Sequence, residues 1–162
     1  MVFITLGSQK FQFNRLLKAV DALVESGAIT EKVFAQTGFS DYEPRFYQYK
    51  NFVDRDEFAR ITGEADIVIT HGGTGAIIGA VRKGKKVIAV PRLAKYGEHV
   101  DDHQTQIVEE FGRMGLILPC TDCSRLDEAV NDVYGRHFTE YHTNTDRFLD
   151  ILAADIEGRP ND

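Results

Sequence analysis

The sequence carries no surplus of positive charge. Lysine and arginine number 19 against 25 aspartates and glutamates, a formal net charge of −6 with a pI near 5.4. A general nucleic-acid binder needs a basic face, and adhesion to anionic lipid needs basic residues, so both classes are disfavoured. The one basic cluster, Arg82, Lys83, Lys85 and Lys86, falls on a helix-to-strand turn and reads as a solvated corner. No apolar run approaches the roughly 20 residues of a membrane span. No basic leader precedes the first apolar run, Val2-Phe3-Ile4-Thr5-Leu6, so a secretory signal is not expected and the protein reads as cytoplasmic. Cysteine is scarce, with Cys120 and Cys123 in a single C-x-x-C. A zinc site needs a second ligand pair, and none is spaced for it. A redox dithiol could occupy the same strand-to-helix position. The plainer reading is a surface loop in which Ser124 caps the next helix, with Asp127 three residues on. Repeats, low-complexity tracts and linkers are absent. What remains is an ordinary globular composition, 43% hydrophobic over 162 residues, enough for one domain with its own core.

Short apolar runs alternate with amphipathic segments. Residues 2–6, 32–37, 66–70, 86–90 and 115–118 read as strands, and 46–53 as a less regular extended piece. Residues 12–26 place Phe13, Leu16, Leu17, Val20, Leu23 and Val24 at helical spacing, and Gly27 closes that helix. Further helices are expected over 54–62, 75–83, 100–113, 124–134 and 148–156. Strands separated by helices predict an α/β fold: a Rossmann-like parallel sheet with helices on both faces and right-handed crossovers. The domain is expected to span residues 1–157, with 158–162 frayed. Ligands of such sheets bind beyond the carboxyl ends of the strands.

Three segments fall at such ends. The most informative is Thr70-His71-Gly72-Gly73-Thr74-Gly75-Ala76, where a β-branched run breaks into a polar glycine turn that opens a helix. Glycines let backbone approach a ligand, and a helix start offers free N–H groups and a positive dipole end. The Thr74 hydroxyl and the His71 ring add polar groups, so a phosphate or diphosphate is the expected guest. Gly7-Ser8 after the first strand is a second candidate anion-facing loop. The third segment runs from Pro91-Arg92 through Tyr96 and Glu98-His99 to His103-Gln104. Its density of hydrogen-bonding groups suits a sugar, whose hydroxyls both donate and accept. His99 and His103, four apart with Glu98 and Asp102 near, make a metal site conceivable. Sugar or loop-closing contacts fit this segment better. Arg92 could pair with a diphosphate or brace the loop. Aromatics at Phe11, Phe13, Phe39, Tyr42, Phe46, Tyr47 and Tyr49 are candidates for a partner surface, with Phe13 equally at home in the core.

These three motifs, in this order over nearly the whole chain, resemble bacterial exopolysaccharide and capsule glycosyltransferase subunits. Those group with the C-terminal, UDP-sugar-binding half of the family 28 glycosyltransferases. They are similar to the small catalytic subunit of the two-part eukaryotic enzyme that adds N-acetylglucosamine to a dolichol-linked precursor. The resemblance implies one half of a GT-B enzyme, with a separate membrane-anchored subunit supplying the acceptor-binding half. It implies that Gly72, Gly73, Thr74, Gly75 and Ala76 with His71 face the diphosphate. Gly7 and Ser8 would line the cleft, and His99, His103 and Gln104 would reach the sugar or ribose. Many relatives hold a ribose-binding glutamate eight residues after the motif histidine. Gly79 stands there in this chain, which leaves Glu98 as a candidate for that role.

The implied function is donor binding and catalysis in a two-component inverting glycosyltransferase. It would move a hexose, galactose first and N-acetylglucosamine next, from a UDP-sugar to a lipid-linked glycan. His71 would stabilise the leaving group. The general base is not assigned and could lie on the partner. No metal or other cofactor is expected, nor any nucleic acid. The chain would sit at the inner face of the membrane through its partner, and could self-associate when isolated. The alternative is a non-catalytic nucleotide-sugar-binding subunit that activates a membrane-anchored partner. A nicotinamide-dependent dehydrogenase is set aside, because Gly7-Ser8-Gln9-Lys10-Phe11 lacks the G-x-G-x-x-G fingerprint.

Overall fold

The structure, a computed structural model, describes residues 1–139; the expected helix over 148–156 and the end at 158–162 lie outside the described residues. Six strands form one sheet: β1 (Val2–Thr5), β2 (Val33–Gln36), β3 (Gln48–Lys50), β4 (Ile67–His71), β5 (Lys86–Val90) and β6 (Leu118–Pro119). Their order is β3-β2-β1-β4-β5-β6, and every neighbouring pair is parallel. The helices are α1 (Asn14–Glu25), α2 (Arg55–Glu64), α3 (Thr74–Arg82), α4 (His103–Arg113) and α5 (Leu126–Val133).

The two-residue period of the strands sorts the core into two layers. Val2, Ile4, Ile67, Ile69, Ile88 and Val90 face α1 and α5, meeting Leu16, Leu17, Val20, Val130 and Val133. Phe3, Val68, Val87 and Ala89 face α2, α3 and α4, meeting Ile61, Ile77, Val81, Val108 and Phe111. Both faces of the sheet are thus covered, which explains why the central strands read as continuous apolar runs. Strand order reverses between β1 and β4, so a crevice opens there at the carboxyl ends of the strands.

Several boundaries differ from the sequence expectation. The expected strand over 115–118 is β6, at Leu118–Pro119. Gly115, at φ 73°, closes α4, and Leu116 and Ile117 pack into the second core layer instead. Proline is tolerated because β6 is an edge strand. Helix α4 begins at His103 rather than residue 100, after a short 3₁₀ turn at Ala94–Tyr96. The cap near the cysteines comes from Asp122, which accepts both the Ser124 N–H (2.9 Å) and the Ser124 hydroxyl (2.8 Å). Nor is that segment simply a surface loop. Cys120 is buried in the first core layer and Cys123 is half-buried, both as free thiols that burial holds above their ordinary pKa.

The aromatic stretch 39–49 divides between core and surface. Asp21, buried on α1, accepts from the Tyr42 hydroxyl (2.5 Å) and from the N–H groups of Arg45 (2.8 Å) and Phe46 (2.9 Å). The Tyr47 hydroxyl donates to the Leu17 carbonyl at 2.9 Å. Phe39 and Phe46 remain exposed, and Phe39 stacks edge-on against exposed Phe52 at 5.2 Å. Asp21→Ala would strand two backbone donors and a phenol. A loss of about 2–4 kcal/mol in unfolding free energy by denaturant titration is expected; a loss under about 0.5 kcal/mol would show that Asp21 does not hold this segment.

Candidate functional site

His71 is the last residue of β4, and its ring is buried at the strand-order reversal. The glycines around it have a role that the sequence does not reveal. A Cβ at Gly73 would lie 2.2 Å from His71 Cε1, and one at Gly7 would lie 2.6 Å from His71 Nε2. At Gly72 a Cβ would meet Gln104 Cβ at 2.8 Å and Val108 Cγ2 at 2.9 Å. Gly7 also has φ 72°, whereas Gly73 sits in extended backbone open to any residue. These three glycines therefore make room for the histidine ring and α4. Close approach of backbone to a ligand is left to Gly75 and to Gly79, where a Cβ would meet nothing within 4 Å.

The state of His71 follows from its neighbour. Gln104 Oε1 accepts two backbone N–H groups, from Gly72 (3.0 Å) and Arg92 (3.1 Å). A backbone N–H can only donate, so this atom is the oxygen and the other end of the amide is the NH₂ group. That group lies 3.3 Å from His71 Nδ1 and donates to it. Nδ1 is then the bare nitrogen, and the proton of the neutral ring sits on Nε2. Burial pushes the ring pKa down to about 3, and the Arg92 charge acts in the same direction. His71 is a neutral N–H donor at physiological pH.

Arg92 and Glu98 lie beneath the site rather than in it. Arg92 is almost fully buried, and its guanidinium donates to the carbonyls of Leu6 (2.5 Å), Phe11 (3.0 Å), Gln12 (3.2 Å) and Glu98 (3.3 Å). It therefore braces the loop after β1, and the diphosphate contact considered from sequence would require breaking that web. Burial lowers its pKa to about 10, partly opposed by Glu98. Both Glu98 carboxylate oxygens accept from Arg15, each at 3.0 Å, and Oε1 also takes the Leu93 N–H at 2.9 Å. Glu98 is wholly buried, which removes it from the ribose-binding role that the absent glutamate suggested.

The other expected residues converge. A cavity of about 400 Å³ is lined by Gly7, Ser8, Gln9, His71, Gly73, Thr74, Gly75, Ala76, His99, His103, Gln104 and Ile107. It opens over the start of α3, which no side chain caps and whose first-turn N–H groups have no acceptor within the helix. Gly72 lies outside the lining, under α4. A second cavity, about 310 Å³, shares Gly7, Ser8, Gly75 and Ala76 and continues past Gly79 to Gln36, Phe58, Thr62 and Lys83. Sequence reading missed this extension. Its available signal was Gly79, a residue with no side chain on the exposed face of a helix. A larger groove, about 990 Å³, lies across the 93–98 loop along α1, where its guanidinium, Arg15, is already held by Glu98. Among the described residues, no three His, Cys, Asp or Glu side chains are grouped to hold a metal ion, and no helix is long and apolar enough to cross a membrane.

The sequence model described as "Glycosyltransferase family 28 C-terminal domain" matches residues 1–152. Over 53 residues the chain is 43% identical to a Candida glabrata protein named UDP-N-acetylglucosamine transferase subunit ALG13, an alignment spanning 33% of this chain and 25% of that relative. Among solved structures, the solution structure of ALG13 superposes with a TM-score of 0.63 at 16% identity, covering 94% of each chain. The kitacinnamycin glycotransferase does so with a TM-score of 0.62 at 18% identity, over 97% of this chain and 39% of that one. Both likenesses bear on the fold: a Rossmann-like sheet of the kind found in the C-terminal domains of GT-B glycosyltransferases.

The His71 environment has a measurable pH signature. Its ordinary pKa of 6.5 applies to the unfolded chain, and about 3 to the folded one. Between those values the unfolded chain binds a proton that the folded chain does not, so stability falls as pH falls. The slope from this ring is at most about 1.4 kcal/mol per pH unit. Denaturant titrations from pH 7 to pH 4 should show a steeper loss in the wild type than in His71→Gln. Parallel curves would mean that His71 is not held neutral by burial.

Proposed function

The chain belongs to the glycosyltransferase family 28 C-terminal domain family, and on that premise we propose that it is the donor-binding, catalytic subunit of a two-component inverting glycosyltransferase. In this reading it takes a UDP-sugar and transfers the hexose to a lipid-linked glycan in exopolysaccharide or capsule synthesis. The observation that carries the reading is the pairing, in one cavity, of an uncapped helix start with a neutral histidine N–H. Galactose is the hexose suggested by capsule relatives. N-acetylglucosamine is the next candidate, supported by the name of the Candida glabrata relative.

The UDP diphosphate lies over the first turn of α3, with Gly75 and Ala76 giving backbone N–H groups. The nucleoside extends into the second cavity past Gly79, whose lining among the described residues holds no Asp or Glu side chain. As the acceptor hydroxyl attacks the anomeric carbon and gives its proton to a general base on the partner half, the bond from that carbon to the β-phosphate oxygen breaks and charge grows on that oxygen. His71 Nε2–H and the helix start meet that charge with fixed donors. One such preorganised donor is worth on the order of 3 kcal/mol of barrier. The neutral ring keeps its proton throughout, and in this reading no metal is expected at the leaving group.

The acceptor half comes from a membrane-anchored partner. Phe39 and Phe52 follow β2 and β3, and Tyr96 and Val100 follow β5, so these exposed side chains flank the carboxyl edge of the sheet on both sides of the cleft. Aromatic and aliphatic groups bare to water around a cleft suit a covering protein surface. The chain then resides at the inner face of the membrane through that partner.

Gly75→Asp separates the donor site from the fold. Its Cβ meets nothing, and an acidic group in a first turn favours the helix. Calorimetry should show UDP binding to the wild type without added Mg²⁺, in preference to ADP and NADH. The variant should lose at least about tenfold in UDP affinity while its melting temperature holds or rises. Equal UDP affinity in the two proteins would place the diphosphate elsewhere.

A further inference from the structure

The second cavity carries two polar side chains that the fold itself does not use. Thr5 closes β1 and Gln36 closes β2, and the two are register partners on neighbouring strands. Alternation along each strand places them on the face of Phe3 and Phe34, toward α2 and α3. Both line the cavity of about 310 Å³, and both are more than nine-tenths buried, at 3% and 7% exposure. The remaining walls are largely apolar, among them Phe58, Val68, Ala76 and Ala80. Phe58 is held edge-on against Phe3 with centroids 5.4 Å apart.

The hydrogen-bonding sense of Gln36 follows from its surroundings. Its Oε1 faces the Val53 N–H at 3.4 Å, and the reverse orientation would set two donors against each other. The amide NH₂ is then the end turned to the cavity, and it has no hydrogen-bond partner among the described residues. The Thr5 hydroxyl has none there either, whereas the Thr5 carbonyl accepts from the Thr70 hydroxyl at 3.0 Å. The Thr62 hydroxyl in the same lining is already committed, since it donates to the Phe58 carbonyl at 2.8 Å. Neither the Gln36 nitrogen nor the Thr5 hydroxyl is sealed from the cavity. A fixed donor in a buried, mostly apolar space calls for an acceptor on whatever fills that space.

We propose that Gln36, with Thr5 beside it, reads the base of the donor nucleotide and selects a keto pyrimidine over an amino one. Uracil presents a 4-carbonyl next to an N3–H. The carbonyl accepts from the Gln36 NH₂, and the N3–H donates to the Thr5 hydroxyl. Cytosine presents an amino group and a bare N3 at the same edge. The Thr5 hydroxyl can turn to donate to that N3, but the Gln36 NH₂ meets the amino group donor to donor. Gln36 is therefore the discriminating residue. The 2-carbonyl, which both bases share, lies beside the bond to the ribose and is not the leading edge of a base entering from the Gly79 side. This rests on the donor-binding reading above, which places the nucleoside in this cavity.

The test is calorimetric binding of UDP and CDP to the wild type and to Gln36→Met. Methionine keeps the length of the side chain and removes the amide. The wild type should bind UDP at least about tenfold more tightly than CDP, the scale of one hydrogen bond against one opposed donor pair. The variant should lose about tenfold in UDP affinity and change CDP affinity by less than about twofold, which brings the two nearly level. The melting temperature of the variant checks its fold, because the Val53 N–H also loses its acceptor. A ¹H–¹⁵N spectrum of the wild type needs no substitution: the Gln36 side-chain NH₂ resonances should move with UDP and stay in place with inorganic pyrophosphate. Equal wild-type affinity for UDP and CDP, an unchanged UDP-to-CDP ratio in the folded variant, or Gln36 resonances that ignore UDP would overturn the proposal and leave the donor-binding reading standing. A wild type that bound neither nucleotide would overturn the donor-binding reading itself, and this proposal with it.

Discussion

The site depends on the side-chain amide of Gln104. Buried between β4, β5 and α4, it gathers the N–H of Gly72, the N–H of Arg92 and the ring of His71. Each of these would be an unsatisfied polar group in the interior without it, at a cost of roughly 1–3 kcal/mol apiece. The amide also selects the His71 tautomer, and with it the hydrogen-bonding sense of the cavity. Arg92 extends the same framework. Its guanidinium draws the carbonyls of Leu6, Phe11 and Gln12 together, so the first loop is held against the ring that Gly7 makes room for.

A neutral donor is well matched to a diphosphate leaving group. A buried imidazolium would carry a large desolvation cost before any substrate arrived, and the nearby Arg92 charge would add to it. A neutral N–H avoids that cost and still strengthens its hydrogen bond as charge develops on the oxygen. The start of α3 supplies the remaining field without a side-chain charge. The buried charge beside the site, on Arg92 and the Arg15–Glu98 pair, is spent on backbone and on itself. The described lining of the cavity holds no Lys, Arg, Asp or Glu side chain.

Much of the fold was legible because its signals are local. The apolar runs at 2–6, 66–70 and 86–90 became β1, β4 and β5, and the helical spacing of Leu16, Leu17 and Val20 became the buried face of α1. The β6 position was not legible, since Leu116 and Ile117 look like strand residues and are apolar for another reason. The strand–turn–helix pattern and the family resemblance single out His71, Thr74, Gly75, His99, His103 and Gln104, and the structure brings these to one cavity. Glu98 was misplaced as a ribose ligand because sequence shows charge and not burial, and of the two roles left open for Arg92 the structure shows loop bracing. The reason for Gly7, Gly72 and Gly73 was hidden for a related cause: the object that demands the space is a side chain distant in sequence, or the neighbouring helix.

The most direct test of the central claim is a long-range ¹H–¹⁵N spectrum of the histidine-labelled chain, recorded from pH 5 to pH 8 and then with UDP added. His71 is expected to stay neutral across that range with its proton on Nε2, and this N–H resonance to move when UDP binds. A His71 ring that titrates near 6.5, or that carries its proton on Nδ1, would contradict it.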